Sequence, residues 1–139
     1  MAQTLLIVKP DAVGNRLTGR ILARVEESGF TIRAMAMTQL SPDDARRFYQ
    51  VHAERPFYDE LCAFMTSGPC VPCLLEGGED AIPGLRQLMG ATDPAEAAAG
   101  TLRAEFAEDK QRNAVHGSDG PDTAREEIAL FAAKLGWLA

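Results

Sequence analysis

Two short apolar runs, each set off by a proline, most constrain the fold of this chain. The first, TLLIVK at residues 4–9, stops at Pro10, and the second, CVPCLLEG at residues 70–77, follows Pro69. Proline cannot donate a hydrogen bond to a sheet ladder. Apolar runs of this length between chain breakers are typical of buried strands. The sequence therefore predicts two buried strands, and it leaves Lys9 at a strand end.

The segments between these runs have other periods. Residues 18–28 carry an apolar stripe with helical spacing, and residues 30–40 alternate with the period of a strand. Ser41 is then a good helix cap, with Pro42 at the first helical position. We expect that helix to end near His52.

The following segments are less regular. Helices are predicted over residues 57–66 and 79–89, although Pro83 falls inside the second and should end or kink it. TLRAEF at residues 101–106 is compatible with a fourth strand or with an extended segment.

Residues 108–120 are polar and show no periodicity, so they are predicted to form a loop of a length that often carries function. A last helix should begin at Pro121. Strands that pair directly, with helices laid on one face, indicate an α+β sandwich. At 139 residues the chain fits one domain.

Composition excludes several classes of protein. A net charge of -6 argues against nonspecific nucleic-acid binding, which depends on a basic surface. The amino terminus has no basic stretch before its apolar residues, and no apolar run approaches the ~20 residues of a membrane span, so a cytoplasmic protein is expected. The three cysteines, Cys62, Cys70 and Cys73, have no partner Cys or His pair for a metal site, and we interpret them as partly buried thiols.

The chain contains two histidines. His52 falls at a predicted helix end, where an imidazole interacts favourably with the helix dipole. His116 falls in the sequence NAVHGSDG and allows two interpretations, an ordinary loop residue or a nucleophile. An imidazole of ordinary pKa is about three quarters neutral at pH 7, and only the neutral ring has a lone pair for attack.

A phosphate ligand would have to be held by side chains, because neither GxxxxGK[ST] nor GxGxxG occurs. Charge-assisted hydrogen bonds from such side chains contribute about 1.5 to 3 kcal/mol each. The candidates are Lys9, Arg55, Arg86, Thr92, Arg103, Arg112 and Asn113.

These residues and their neighbours carry a resemblance to a known family. The motif N-x-x-H-G-S-D is present at residues 113–119, and VKPDAV, RPFYDEL, MTSGP, LMGATDPAEA and GTLRAEF support it elsewhere. Over essentially its whole length the sequence resembles nucleoside diphosphate kinases. The resemblance implies a ferredoxin-like α+β fold with an antiparallel four-stranded sheet. It also implies ping-pong transfer of the γ-phosphate of a nucleoside triphosphate to a nucleoside diphosphate through a phosphohistidine.

The same resemblance implies a role for each site residue. His116 would be the nucleophile through Nδ1, Glu127 would orient its ring, and Ser118 would bond to that carboxylate. Lys9 and Tyr49 would lie near the histidine and the transferred phosphate. The remaining implied contacts are phosphate at Arg86, Thr92 and Arg103, sugar hydroxyls at Asn113 with Lys9, and the base between Phe57 and Leu61.

Further expectations follow from this likeness. Stacking on Phe57 without contacts to the base edge would accept any base, because every base has a π-face. Mg²⁺ should arrive on the nucleotide phosphates rather than in a protein cage. We expect a homo-oligomer, a tetramer or hexamer, although the short tail KLGWLA does not settle which.

One position departs from the family pattern, and one alternative function stays open. Gly120 stands where many members have serine; as a helix N-cap it should have little effect on catalysis. The alternative is a non-catalytic ferredoxin-like module that binds a nucleotide or a partner protein for regulation. Exchange of phosphate between ATP and a second nucleoside diphosphate would distinguish the two.

Overall fold

A four-stranded antiparallel sheet forms the centre of the molecule. In the computed structural model, which describes residues 2–137, the strands lie in the order β2-β3-β1-β4. Their bounds are Ala2–Val8 for β1, Thr31–Met35 for β2, Val71–Gly77 for β3 and Val115–Gly117 for β4. This is the antiparallel α+β architecture predicted from the sequence.

Seven helices and one short 3₁₀ turn pack around the sheet in the described part of the chain. They are α1 Pro10–Gly14, α2 Thr18–Glu27, α3 Pro42–Phe48, the 3₁₀ turn Gln50–His52, α4 Tyr58–Met65, α5 Ala81–Met89, α6 Leu102–Phe106 and α7 Pro121–Leu135. Within residues 2–137, no helix is long and apolar enough to cross a membrane.

Helices cover both faces of the sheet, so the expectation of helices on one face was wrong. Alternate residues of β1 point to opposite faces: Leu6 packs in a cluster with α2 and α5, and Ile7 packs in a second cluster with α3, α4 and α7. A strand buried on both sides needs an unbroken apolar run, which is why TLLIV shows no alternation. Cys73 is buried in the first cluster and Cys70 in the second, because residues three apart in an extended chain point to opposite faces.

Helix starts follow the local signals in the sequence. The Ser41 side chain accepts a hydrogen bond from the Asp44 amide, and the Asp44 carboxylate accepts one from the Ser41 amide, which completes a capping box. Pro83 lies in the first turn of α5 and does not end or kink it, because amides in that turn have no partner within the helix. Gly120 is the N-cap of α7, as predicted.

Strand β2 ends earlier than its sequence pattern predicts, at Met35 rather than near residue 40. The Ala36 amide still donates to the Pro72 carbonyl at 3.3 Å, but Pro72 has no amide to donate in return. A register irregularity between Ile32 and Ala34 also disturbs this edge. Regular pairing therefore stops there, apart from an isolated bridge at Thr38.

Two other predictions near the site were wrong, and one predicted strand ends a residue early. Strand β1 ends at Val8, and Lys9 is the N-cap of α1, a short helix with Pro10 at its start. TLRAEF forms helix α6, because the Thr101 hydroxyl accepts a hydrogen bond from the Ala104 amide and caps it. His116 lies on strand β4, which has only three residues and therefore no visible period.

Candidate active site

A cavity of about 860 Å³ opens beside the carboxyl end of β1 and strand β4. It brings together nine of the eleven predicted site residues from distant parts of the chain. They are Lys9, Tyr49, Phe57, Leu61, Arg86, Thr92, Arg103, Asn113 and His116. The other two, Ser118 and Glu127, are buried behind the histidine.

The histidine is held by a carboxylate on the last helix. Nε2 of His116 lies 3.0 Å from Oε1 of Glu127, and the Ser118 hydroxyl donates to the same oxygen at 2.7 Å. A carboxylate accepts hydrogen bonds, so this contact favours the ring form with its proton on Nε2. The lone pair is then on Nδ1. The Phe48 ring packs edge-on against the imidazole, with 5.1 Å between centroids, and fixes its plane.

A side chain directly after this histidine would force its neighbours on helix α5 to move. A Cβ on Gly117 would lie 2.5 Å from the Met89 sulfur and 3.2 Å from a Leu85 methyl carbon. Both side chains belong to helix α5 and are fully buried. The close approach of β4 to α5 therefore depends on Gly117.

Arg103 is anchored by backbone carbonyls around the histidine strand. Its guanidinium donates to the carbonyl oxygens of Asn113 at 3.3 Å, Gly90 at 3.1 Å and Val115 at 2.8 Å. These contacts use three of its five N–H groups and leave two for a ligand. Burial and the nearby Arg86 charge lower the pKa of Arg103 to about 10, so it stays charged at neutral pH.

Lys9 lies at the inner end of the cavity and is almost fully buried. Its ammonium donates to Oδ1 of Asn113 at 2.8 Å. Burial and the charge of Arg103 lower the pKa of Lys9 to about 8, against the opposing effect of Asp11. The lysine is thus protonated at pH 7 but close to its titration point.

Tyr49 presents a buried hydroxyl that has no hydrogen-bond partner among the described residues. Burial, and then the negative charge of Glu127, raise the pKa of Tyr49. The phenol therefore stays protonated as a donor. A buried donor without a partner is unfavourable, so a ligand oxygen in the cavity would satisfy it.

The outer end of the cavity is apolar. Phe57 is 44% exposed there, and its ring centroid lies 5.4 Å from that of His52. Leu61 follows one turn later on α4. An exposed aromatic ring beside an aliphatic residue offers a flat surface for a stacked ring.

Two arginines considered as phosphate ligands do not line this cavity. Arg55 lines a separate depression beside the 3₁₀ turn, and Arg112 pairs with Asp109 at 2.9 Å. The cavity also has polar lining residues to which the sequence assigned no role in the site, although Glu60 and Asp119 fall within the family motifs. They are His52, Glu60, Asp109, Lys110, Gln111 and Asp119.

The residues described by the structure contain no group of three or more His, Cys, Asp or Glu side chains that could hold a metal ion. Lys9, Arg86 and Arg103, which are among the cations that line the cavity, suit an anionic ligand.

Comparison with known proteins shows that the chain is a phosphotransferase. The family model described as nucleoside diphosphate kinase matches residues 2–135. A nucleoside diphosphate kinase from Desulfatibacillum aliphaticivorans is 57% identical over 131 residues, which are 94% of each chain. One from Campylobacter fetus subsp. fetus is 57% identical over 134 residues, 96% of this chain and 97% of that one.

Solved structures agree with this result. The Aquifex aeolicus nucleoside diphosphate kinase has a TM-score of 0.90 and 48% identity, over 93% of each chain. A halophilic one from Halobacterium salinarum, in complex with CDP, has a TM-score of 0.89 and 39% identity, over 94% of this chain and 86% of that one. The chain therefore belongs to the nucleoside diphosphate kinase family. The predictions of family, fold class and enzyme are confirmed, and the non-catalytic module is set aside.

Proposed function

We propose that this enzyme moves the γ-phosphate of a nucleoside triphosphate to a nucleoside diphosphate in two half-reactions through phosphorylated His116. The observation that carries the proposal is the contact between Nε2 of His116 and Glu127, which leaves Nδ1 as the attacking nitrogen of a ring that lines the cationic cavity. The two half-reactions use the same pocket in turn, so the phosphate is never transferred directly between two polyanionic nucleotides.

The first half-reaction needs no proton transfer. The Nδ1 lone pair forms a bond to the γ-phosphorus, the bond from phosphorus to the bridging oxygen breaks, and the nucleoside diphosphate leaves with that electron pair. The ring keeps its proton on Nε2 and becomes positively charged, next to the carboxylate of Glu127. In the second half-reaction a terminal oxygen of another nucleoside diphosphate attacks the phosphorus and releases the neutral imidazole.

Charge on the transferred group is balanced by the cations of the cavity. Arg86, Arg103 and Thr92 would bind the phosphate oxygens, and Lys9 would lie near the transferred phosphate with Tyr49. The two N–H groups that Arg103 keeps for a ligand, and the partnerless Tyr49 hydroxyl, support this assignment. Phosphoryl transfer depends chiefly on such alignment and charge.

The nucleoside would occupy the rest of the cavity. Asn113, already bonded to Lys9, would contact the sugar hydroxyls, and the base would lie between Phe57 and Leu61. The solved Halobacterium salinarum relative, a complex with CDP, supports a pyrimidine in this family. Stacking accepts any base, so we propose broad base specificity.

Mg²⁺ would enter as part of the nucleotide substrate. When bound it spreads the charge of the β- and γ-phosphate oxygens, and it usually keeps several waters at such sites. The cavity fits a metal–nucleotide complex because its cations can bind the phosphate oxygens that the metal leaves open. Removal of Mg²⁺ by EDTA should abolish transfer while protein-bound label from an earlier incubation persists.

We also propose that the protein is a homo-oligomer, a tetramer or hexamer. Strand β2 is an edge strand of the sheet, and Met35 at its end and Met37 just beyond it are 52% and 63% exposed. Large apolar side chains on an unpaired edge are typical of a covered surface. Native mass spectrometry would measure the subunit number.

We also propose that the protein is located in the cytoplasm, and cell fractionation would test this.

The decisive experiment follows the label from γ-labelled ATP. The wild-type protein should acquire label that survives alkali and is lost in acid, and His116→Gln should acquire none. His52→Gln is the matched control, since the chain has only two histidines, and it should keep the label. Label in His116→Gln would place the nucleophile elsewhere.

The second half-reaction is tested on the isolated labelled protein. ADP, GDP, CDP and UDP, added separately, should each remove the label and become triphosphates. Release of inorganic phosphate without triphosphate would contradict the kinase reaction, and removal by one base only would contradict broad specificity.

A further inference from the structure

A strained turn immediately precedes the histidine strand. Ala114 has a φ of 73°, one of two positive φ values among the described non-glycine residues. The Val115 amide donates to the Asn113 carbonyl at 2.8 Å, across Ala114. A bond between residues two apart with positive φ at the centre defines the rare form of the γ-turn. Such backbone persists only where its surroundings enforce it.

The turn is held by the junction between β1 and α1. Oδ2 of Asp11 accepts a hydrogen bond from the Ala114 amide at 3.1 Å. The Lys9 amide donates to the Ala114 carbonyl at 2.9 Å. Both backbone groups of the strained residue therefore bond to a segment that is three residues long, and Pro10 between the two partners has a fixed φ.

Of these two bonds, only the one from Asp11 depends on a side chain. Asp11 lies in the first turn of α1, and its other carboxylate oxygen, Oδ1, is buried without a hydrogen-bond partner in the described part of the chain. Asp43, in the first turn of α3, has by contrast an exposed carboxylate. The carboxylate of Asp11 is instead directed at the γ-turn.

The turn determines where two site residues lie. Asn113 precedes it and carries the amide that bonds to Lys9, whereas His116 follows two residues after it. If Ala114 relaxed to a negative φ, the backbone on the two sides would change direction. The separation of the sugar-binding amide and the imidazole would then change.

We propose that Asp11 is a positioning residue for phosphoryl transfer, which holds the γ-turn at Ala114 and so fixes His116 relative to Asn113. The inference rests on the proposed phosphohistidine reaction. Asp11 is not among the residues that line the cavity with His116, so its effect should pass through the turn.

The test combines loss of the carboxylate with relief of the strain. Asp11→Ala should slow single-turnover labelling of the protein about 100-fold, as expected for displacement of a reacting group by about 1 Å. Ala114→Gly alone should label at nearly the wild-type rate. The double variant should regain most of the lost rate, because glycine adopts positive φ without strain and no longer needs the clamp.

Rescue by glycine separates this role from an effect of the Asp11 charge on Lys9, which Ala114→Gly cannot restore. Asp43→Ala is the control for a first-turn aspartate and should label like wild type. Labelling of Asp11→Ala at the wild-type rate, or a double variant as slow as Asp11→Ala, would overturn the proposal.

Should Asp11→Ala fail to fold, as judged by circular dichroism, Asp11→Asn decides the matter. It keeps an oxygen that accepts from the Ala114 amide, so at saturating ATP, where weaker binding through Lys9 does not limit labelling, it should label at a rate near wild type. A folded Asp11→Asn that labels about 100-fold more slowly than wild type at saturating ATP would overturn the role. Failure of the wild-type protein to acquire acid-labile label would instead refute the phosphohistidine mechanism itself.

Discussion

Replacement of Glu127 tests how the carboxylate behind the histidine contributes to catalysis. Its Oε1 accepts hydrogen bonds from both His116 and Ser118. Glu127→Gln retains an oxygen in this position, because the Ser118 hydroxyl still needs an acceptor there. The glutamine therefore keeps the proton on Nε2 and removes only the negative charge. Glu127→Ala removes both the acceptor and the charge.

The magnitude follows from the two kinds of hydrogen bond. A charged partner contributes about 1.5 to 3 kcal/mol and a neutral one about 0.5 to 1.5 kcal/mol. In the proposed reaction the charge acts mainly after Nδ1 attacks, when the ring becomes positive, so its loss should lower the rate and leave binding unchanged. At about 1.4 kcal/mol per tenfold change, Glu127→Gln should slow phosphorylation about tenfold and Glu127→Ala about 100-fold.

Rapid-quench measurement of histidine labelling at several ATP concentrations separates the rate from the dissociation constant. The dissociation constant should stay near the wild-type value in both variants. Glu126→Gln, an exposed neighbour on the same helix, is the matched control and should behave as wild type. A wild-type rate in Glu127→Ala, or a slower rate in Glu127→Gln than in Glu127→Ala, would refute the reasoning.

Two further predictions concern the cation and the glycine of the site. The pKa of Lys9 is lowered to about 8, so its positive charge is lost as pH rises through that value, and the dissociation constant for ATP should increase between pH 7 and 9. Titration calorimetry measures the dissociation constant at each pH, and in Lys9→Met it should not change with pH. A dissociation constant that also stays constant in the wild-type protein would contradict the role given to Lys9. Gly117→Ala should lower the free energy of unfolding by about 1 to 3 kcal/mol through overpacking against Met89. Urea unfolding checks it, and Gly14→Ala, where a Cβ meets nothing within 4 Å, is the control.

Local signals in the sequence predicted the elements on which the site is built. The apolar run before Pro10 gave strand β1, and the Ser41 cap with Pro42 gave helix α3. These signals suffice because each depends on residues within one turn or one strand. The helix that carries Glu127 was predicted in the same way, from its apolar stripe after Pro121.

The strand that carries His116 could not be predicted from periodicity. Three residues are too few to show alternation, and strand β4 is defined by its pairing with Leu6, Ile7 and Val8 far away in sequence. The motif located the histidine, and the loop predicted from polarity is confirmed for residues 108–114 and 118–120 but not for the three residues of β4. The γ-turn at Ala114 had no signal either, because alanine gives no indication of positive φ.

Residue patterns alone did not separate the arginines that line the cavity from the other arginines, and this has a physical cause. The groups that orient the two arginines are backbone carbonyls: Val115 accepts from Arg103, and Gly117 accepts from Arg86 at 3.3 Å. Both carbonyls adjoin His116, one residue before it and one after. His116 and the two arginines are thus held by the same three residues of chain, so in the proposed reaction the geometry for transfer is set within strand β4. Carbonyl groups are identical in every residue, and no pattern of side chains reveals which of them face an arginine. A substitution that shifts β4 should therefore impair phosphate binding and nucleophilic attack together.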